Sequence, residues 1–232
     1  MKKVAIVQPL YIPWKGYFDL INVVDEFVIY DETQYQRRSW QSRNKLKTSQ
    51  GLKWLSIPID VKKKYDQKIN KTFVSDQRWA GSHWKTISYC YSKAKFFKEF
   101  KPLFEEFYLN NTEMNLCLIN LNLIKLVCSL LGIKTKITRS SDYVITGDKT
   151  EKLLNICRQA SADVYISGPA ARHYFDETVA MKMGISVEWM DYSSYPEYSQ
   201  LFSNFEHNVT ILDLIFNVGT KAPKYMKSFN AS

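Results

Sequence analysis

Two groups of side chains near the start of the chain have residue types and spacing suited to binding and reacting an anionic substrate. The first follows a short apolar run and comprises Gln8, Tyr11, Trp14 and Tyr17. The second follows the next apolar run and comprises Asp31, Gln34, Arg38, Trp40, Arg43 and Asn44. Arginines can neutralise a diphosphate, and tryptophan rings can stack on a base or a sugar. A carboxylate such as Asp31 can accept a proton, and the amides of Gln8 and Asn44 can donate hydrogen bonds to an oxyanion.

A βαβ unit would bring both groups to one place. Residues 4–7 are apolar and rich in β-branched side chains, which predicts a buried strand ending at Gln8. After a proline-broken loop, a helix is predicted by apolar residues with helical spacing at Tyr17, Leu20, Ile21 and Val24. Residues 27–30 predict a second buried strand. Because a right-handed crossover places the ends of both parallel strands at one edge of the sheet, we expect a ligand site there.

A structural alternative needs no ligand at these positions. Trp14 and Tyr17 can pack the helix onto the sheet, and the arginines can be solvated at the surface. The density of aromatic and polar groups is greater than two connections require, so we favour the ligand site. Gln34, Trp40 and Arg43 are then substrate-binding residues.

His83 is the second candidate for proton transfer. It lies in WAGSHWKTISYCY, at the start of a helical region that runs from residue 79 to residue 131, with Gly132 as its stop. We expect two helices in this region, joined near residues 109–114. A histidine can accept a proton from an amine at neutral pH. The alternative is a structural histidine packed between Trp79 and Trp84.

The last third of the chain alternates again between strands and helices. Strands are predicted at 134–139, 163–167 and 185–192, and helices at 150–160 and 170–182. Further substrate-binding candidates at the same sheet edge are Ser167, Gly168 and Tyr174. The polar stretches 140–141 and 146–150 either bind an anion at a helix N-terminus or simply cap that helix. A final helix at 210–217 carries Asp213, which we expect to be half exposed, and we expect the end after Thr220 to be mobile.

These elements predict a single α/β domain over residues 1–232. We expect a mainly parallel sheet with flanking helices and a helical insertion at about 79–131. The order of strand, proline-glycine loop, helix and second strand is similar to the start of nucleotidyltransferase folds. The paired histidines of their H-x-G-H motif are absent from the sequence, so this likeness concerns architecture alone.

Bulk composition limits the class of partner. The net charge is +9, which favours an anionic partner such as nucleic acid, an anionic membrane face or a nucleotide diphosphate sugar. No nucleic-acid-binding motif is present. No apolar run approaches the roughly 20 residues of a membrane span, and no signal-peptide pattern opens the chain, so we expect a cytoplasmic protein without a transmembrane segment. The cysteines and histidines lack metal-motif spacing; we expect no metal site and four buried cysteines, Cys90, Cys117, Cys128 and Cys157.

Long motifs carry a resemblance to a known family. QPLYIPWKGYFDLI, VDEFVIYDETQYQRRSWQSRNKLK and WLSIPI resemble the opening of the WbqC-like family of bacterial surface-polysaccharide clusters. Later stretches continue the resemblance through W-x3-HWKTISYCYSKAKFF, TGDKTEKLLNIC, ADVYISG and YSQLFSNF. The resemblance implies a role in O-antigen assembly, with glycine transfer to a sugar amine as the family's usual label. It also places His83 in a motif position.

The leading hypothesis is therefore acyl or aminoacyl transfer to the amino group of a nucleotide-linked amino sugar. Asp31 or His83 would take the proton from the attacking amine, and no serine or cysteine lies in a nucleophile motif, which favours direct transfer. The donor is open among a coenzyme A thioester, an aminoacyl-tRNA and an ATP-activated amino acid. The alternatives are an ATP-dependent nucleotidyltransferase or ligase, and a non-catalytic binding module of a polysaccharide assembly complex.

Overall fold

The computed structural model describes residues 1–229, and a five-stranded parallel sheet lies at the centre of this part of the chain. The strands in chain order are β1 (Lys3–Val7), β2 (Glu26–Ile29), β3 (Arg43–Thr48), β4 (Gly51–Ser56), β5 (Lys136–Arg139), β6 (Val164–Ser167) and β7 (Ser186–Trp189). The order across the central sheet is β5, β2, β1, β6, β7, and each neighbouring pair is parallel. The predicted α/β fold with a mainly parallel sheet is confirmed.

The order of the strands places a reversal of the crossover direction beside β1. The chain first moves outward through β2 and β5, and it then returns to the other side of β1 with β6 and β7. Ligands of open α/β sheets bind at the carboxyl ends of the strands where the crossover direction reverses in this way. Gln8 follows β1 and Gly168 follows β6, so both residues lie at that reversal point.

An antiparallel hairpin of β3 and β4 follows β2. Side chains alternate along β3: Asn44 and Leu46 are buried, whereas Arg43 and Lys45 are partly exposed. Lys45 pairs with Trp54 across the hairpin. The charged outer face gives β3 a low apolar content, which is why it was missed.

Seven α-helices are present in the described part of the chain. In chain order they are α1 (Lys15–Asn22), α2 (Trp79–Tyr91), α3 (Phe97–Leu109), α4 (Leu116–Leu131), α5 (Lys149–Gln159), α6 (Glu177–Lys182) and α7 (Ile211–Val218). Gly132 ends α4 with a φ of 74°, a left-handed conformation that glycine adopts without strain, as predicted. None of the helices within residues 1–229 combines the length and the apolar character needed to cross a bilayer.

The helical region 79–131 contains three helices, so the prediction of two was wrong. The additional break lies at residues 92–96, where the Phe96 N–H donates to the carbonyl of Phe216 in α7 at 2.9 Å. This tertiary hydrogen bond replaces one within a continuous helix. The predicted helix 170–182 is also divided, into a 3₁₀ segment Pro169–His173 and α6, whose N-cap is Asp176.

Hydrophobic clusters cover both faces of the sheet. Ala5 and Phe27 contribute to the larger cluster, and the alternate residues Val4 and Val28 contribute to the smaller one. Asp213 of α7 is fully buried, so the expectation of half exposure was wrong. It is buried because the hydroxyls of Tyr91 and Tyr198 donate to its two carboxylate oxygens.

The chain after Thr220 is packed, not mobile as expected, through residue 229. Ala222 and Met226 are buried, and the backbone N–H groups of Lys227 and Ser228 donate to the carboxylate of Asp19 at 3.0 and 2.9 Å. Residues 230–232 lie outside the described residues. That the whole chain forms one domain stays a prediction.

Candidate functional site

The loop after β1 (residues 8–14, the first loop) and the segment after β2 (residues 31–44, the second segment) are directly hydrogen-bonded. The Tyr11 N–H donates to the carbonyl of Trp40 at 2.9 Å. The Asn44 amide donates to the carbonyls of Tyr11 and Ile12 at 3.1 and 2.7 Å. The structure therefore brings together the two groups that the sequence singled out.

Gln8 makes further contacts between the same two pieces. Its amide nitrogen donates to Thr33 Oγ1 at 3.0 Å, and its amide oxygen accepts from Gln41 Nε2 at 2.7 Å. The hydroxyl of Tyr17 donates to the Gln8 carbonyl at 3.1 Å. The side-chain amides of Gln8 and Asn44 thus hydrogen-bond the first loop to the second segment. To donate to an oxyanion, each amide would have to break its present hydrogen bonds.

Asp31 is fully buried in a network of its own. Arg139 donates to Asp31 Oδ2 from Nε and Nη2 at 3.0 and 2.5 Å, and Cys117 Sγ lies 3.1 Å from the same oxygen. Ser140 Oγ donates to Oδ1 at 2.8 Å. A buried ion pair is tolerable only when its remaining atoms are hydrogen-bonded, and this condition is met here.

His83 is 6% exposed and is also fully engaged. Its Nε2 donates to the carbonyl of Ser56 at 3.1 Å, which fixes the tautomer and leaves Nδ1 to accept from the hydroxyl of Tyr11 at 2.7 Å. Tyr108 must then donate to the oxygen of Tyr11, 2.8 Å away. Burial lowers the pKa of His83 to about 4, so the ring is neutral at pH 7.

Trp14 and Tyr17 pack the start of α1 against its surroundings. The Trp14 ring meets Tyr192 and Tyr195 edge-on, with centroids 5.3 and 5.5 Å away. It also covers Gly16, where an added Cβ would come within 2.3 Å of the indole. Tyr17 is buried against Phe27. These contacts agree with the structural alternative for both residues.

Lys15, the first residue of α1, has a setting that the sequence pattern did not reveal. The residue is 4% exposed, and its Nζ donates to the carbonyl of Pro196 at 3.0 Å. The rings of Tyr195 and Tyr198 lie 4.8 and 5.3 Å from Nζ. Burial lowers the pKa of Lys15 to about 8. Through this hydrogen bond and these ring contacts, Lys15 links α1 to the irregular segment 190–210.

A group of side chains, which includes the predicted residues Trp40 and Arg43, faces solvent on the outer side of the hairpin. We call it the tryptophan–arginine cluster and define it as Trp40, Arg43, Lys45 and Trp54. Trp40 and Trp54 are 44% and 40% exposed, with ring centroids 5.1 Å apart. Arg43 lies over Trp54 with Cζ 4.1 Å from the ring centroid, and Lys45 Nζ is 5.0 Å from the same ring. Because β3 was missed, so were Lys45 and Trp54, although the alternating charge in RNKLK was a usable signal.

Arg43 has a buried Nε without a hydrogen-bond partner among the described residues. A buried donor left unpaired costs about 1–3 kcal/mol, which a ligand would recover if the guanidinium turned toward it. Arg38 is exposed with a φ of 56°, and it takes part in no ion pair or side-chain hydrogen bond within residues 1–229. Gln34 lines a separate shallow hollow of about 320 Å³.

A model of the WbqC-like protein family matches residues 8–225, a range that contains every predicted site residue. The chain belongs to the WbqC-like family. A relative, uncharacterized protein Rv1507c of Mycobacterium tuberculosis, is 49% identical over 227 residues and is covered, like this chain, over 98% of its length. We found no match among the solved structures. Membership of the WbqC-like family suggests, at the coarsest level, an enzyme with a role in polysaccharide biosynthesis.

The remaining predicted residues of this WbqC-like protein lie beyond β6. Tyr165 donates to Ser167 Oγ at 3.2 Å, and Tyr174 is 54% exposed. An added Cβ at Gly168 would lie 3.6 Å from the ring of Tyr192, which itself touches Trp14. Of these residues, Gly168 therefore lies near the first loop, with the Tyr192 ring between them.

The sequence allows two interpretations of the polar stretch 146–150 before α5, an anion site or a helix cap. Asp148 is the N-cap of α5, and its carboxylate accepts from the N–H groups of Thr150 and Glu151 at 2.8 and 2.9 Å. The N-terminal donors that would hold an anion are thus already paired, which supports the capped-helix alternative. The four cysteines are buried and free, as expected. Among residues 1–229, no group of three or more His, Cys, Asp or Glu side chains is placed to hold a metal ion.

Proposed function

We propose that this WbqC-like protein transfers an acyl or aminoacyl group, such as glycine, to the amino group of a nucleotide-linked amino sugar. The reaction would modify a precursor of O-antigen or another surface polysaccharide. Family membership supports the polysaccharide context. The tryptophan–arginine cluster is the observation that carries the proposal, because its exposed side chains match a base joined to a diphosphate.

The match rests on the chemistry of each group in the cluster. Trp40 and Trp54 are 44% and 40% exposed, and a base or a sugar can stack on the exposed part of their rings. The unpaired Nε of Arg43 is buried, so the guanidinium would turn toward the ligand to reach a phosphate oxygen, which is a strong acceptor. Lys45 adds a second positive charge close to both rings. We propose that Arg38, exposed on the same segment, contacts the second phosphate.

In the proposed reaction the sugar nitrogen attacks the acyl carbon of the donor. A C–N bond forms, the bond from the acyl carbon to the donor's leaving group breaks, and the nitrogen loses a proton. Asp31 and His83 stay the predicted proton acceptors. A pKa of about 4 makes His83 a weak base, and its Nδ1 is reached only through the Tyr11 hydroxyl. A direct role for either residue requires its present partners to move.

The binding step can be tested with UDP-glucosamine as a probe that has a free amine. We expect the probe to raise the melting temperature of the wild type, since it binds only the folded state. Arg43→Ala should remove most of this increase while leaving the melting temperature of the free protein close to that of the wild type. Lys53→Ala is the matched control, because Lys53 is an exposed cation of the same hairpin outside the cluster.

The outcomes separate the proposal from its alternatives. Stabilisation by ATP with magnesium but not by UDP-glucosamine would favour a nucleotidyltransferase or ligase. Stabilisation by neither would favour the binding module. Mass analysis of surface polysaccharide from cells with and without the protein then tests the transfer itself, with loss of an acyl or glycyl group as the expected result. Because the three candidate donors are cytoplasmic compounds, we place the reaction in the cytoplasm.

A further inference from the structure

A second ligand-sized feature lies on the same second segment. It is a shallow hollow of about 320 Å³, which we call the tyrosine hollow, lined by Gln34, Tyr35, Gln36, Arg37, Lys64 and Tyr65. Its volume lies at the lower end of the range for small-molecule sites, about 300–1,000 Å³, which suits a mononucleotide. The cluster that the proposed function uses supplies none of these lining residues.

The hollow is built from two pieces of chain held together by backbone hydrogen bonds. Tyr35 N donates to the carbonyl of Gln67 at 2.8 Å, and Ile69 N donates to the carbonyl of Thr33 at 2.9 Å. The side chain of Gln34 donates to the carbonyl of Tyr65 at 2.8 Å. The lysine-rich loop 60–71 is therefore fixed against the second segment.

An exposed ring and a guanidinium group form the inner surface of the hollow. Tyr65 is 76% exposed, and Arg37 Cζ lies 5.7 Å from its ring centroid. Arg37 uses Nη2 to donate to the carbonyl of Val61 at 2.9 Å, which orients the guanidinium and leaves its other N–H groups available. A base can stack on the tyrosine ring while a phosphate oxygen accepts from the arginine.

The surroundings of the hollow carry an excess of positive charge. Loop 60–71 contains Lys62, Lys63, Lys64, Lys68 and Lys71. Lys64 pairs with Asp60 at 2.5 Å and Lys68 pairs with Glu32 at 3.6 Å. The other three lysines of this loop form no ion pair with the described residues, and all three are exposed. Their charges favour a ligand with several phosphates.

We propose that the tyrosine hollow is the donor subsite and that it binds the adenosine phosphate portion of the acyl donor. This inference rests on the proposed function, which requires a second substrate beside the nucleotide sugar. All three candidate donors contain an adenosine phosphate: coenzyme A, the 3′-terminal adenosine of tRNA, and an aminoacyl adenylate. Since the second segment carries residues of both the hollow and the tryptophan–arginine cluster, donor and acceptor would bind to neighbouring parts of one segment.

Affinity measurements on the full-length protein test this assignment. The probes are coenzyme A, ATP, a single-stranded RNA ending in CCA, and UDP-glucosamine, each titrated by isothermal calorimetry. We expect Tyr65→Ala to weaken at least one of the adenosine probes by about 10-fold, the effect of losing one stacked base. The affinity for UDP-glucosamine should change less than 2-fold. The probe most affected identifies the source of the adenosine.

Tyr89→Ala is the matched control, because Tyr89 is an 86% exposed tyrosine on α2 that does not line the hollow. Arg37→Ala should weaken the same adenosine probe as Tyr65→Ala does, and raised salt should weaken that probe further. If no adenosine probe binds, or if binding survives both substitutions unchanged, the donor subsite is refuted while the Arg43-dependent binding of UDP-glucosamine stands. If Tyr65→Ala weakens UDP-glucosamine instead, the hollow belongs to the acceptor and the inference is wrong.

Discussion

The tryptophan–arginine cluster and the network around Asp31 each contain an arginine, but the hydrogen-bonding atoms of the two groups are in opposite states. Asp31 is fully buried, and each of its carboxylate oxygens accepts from at least one donor. Arg43 has a buried Nε without a partner beside two half-exposed rings. Paired polar atoms such as those of Asp31 stabilise a fold, whereas an unpaired guanidinium beside exposed aromatic surface can turn toward a ligand. The comparison assigns Arg43 to the ligand surface, and it assigns Asp31 to the framework unless the partners of Asp31 move to free it for proton transfer.

The largest expected effect comes from breaking the buried ion pair. Asp31→Ala leaves Arg139, whose side chain is 33% exposed, without its ion-pair partner and Ser140 without its acceptor, which should cost about 3 kcal/mol in the free energy of unfolding. Urea denaturation measures this loss. Asp76→Ala is the control, because Asp76 pairs with Arg78 at the surface and its removal should cost much less. An equally small loss for Asp31→Ala would contradict the framework role.

The second effect is a dependence of the unfolding free energy on pH, which arises from His83. An unfolded histidine takes up a proton below about pH 6.5, whereas burial lowers the pKa of His83 in the folded protein to about 4. Protons therefore bind preferentially to the unfolded chain, and stability falls as the pH drops from 6.5 to 4. At about 1.4 kcal/mol per pKa unit, His83 should contribute a loss of about 2–3 kcal/mol between pH 7.5 and 4.5.

His83→Gln should flatten that part of the stability profile, as measured by denaturation at the two pH values. His173→Gln is the control, since His173 is exposed and should leave the profile unchanged. A wild-type profile without the loss would mean that His83 titrates normally, as a solvent-accessible base would.

Ring stacking on the exposed cluster gives the next effect. Trp40→Ala and Trp54→Ala should each weaken UDP-glucosamine by about 10-fold, because a stacked base contributes about 1–3 kcal/mol. Neither substitution should reduce the unfolding free energy as strongly as Asp31→Ala, because both rings are partly exposed. Calorimetric titration supplies the affinities. A loss of stability without a loss of affinity would move both tryptophans from the ligand surface to the framework.

The smallest effect concerns the cap of α5. Asp148→Ala should reduce the unfolding free energy by about 1 kcal/mol, as removal of an N-cap side chain usually does. Thermal unfolding with Lys149→Ala as the control checks this value. Unchanged stability, together with a loss of phosphate binding, would instead favour the anion-binding interpretation of residues 146–150.

The sequence predicted correctly those strands and helix ends that depend only on neighbouring residues. The β-branched run before Gln8 and the glycine at 132 indicated a strand and a helix end correctly. The break at Phe96 was not predictable, because it depends on a hydrogen bond to Phe216, 120 residues away in the chain. Asp213 was misjudged for the same reason, since its burial depends on Tyr91 and Tyr198.

In the candidate site, too, some features were predictable from the sequence and others depend on distant residues. That the first loop and the second segment would meet followed from the handedness of the βαβ unit. Which of their side chains would remain available could not follow, because the partners of Asp31 and His83 come from distant elements such as Arg139 and Ser56. Trp54 joined the cluster through the register of an unpredicted strand pair.

The most direct test of the central claim is a crystal structure of the protein with UDP-glucosamine bound. We predict that the base lies against Trp40 and Trp54, with a phosphate oxygen within hydrogen-bond distance of Arg43. The account would be contradicted if the ligand were well occupied at the sheet edge beside Gly168 and the tryptophan–arginine cluster were empty.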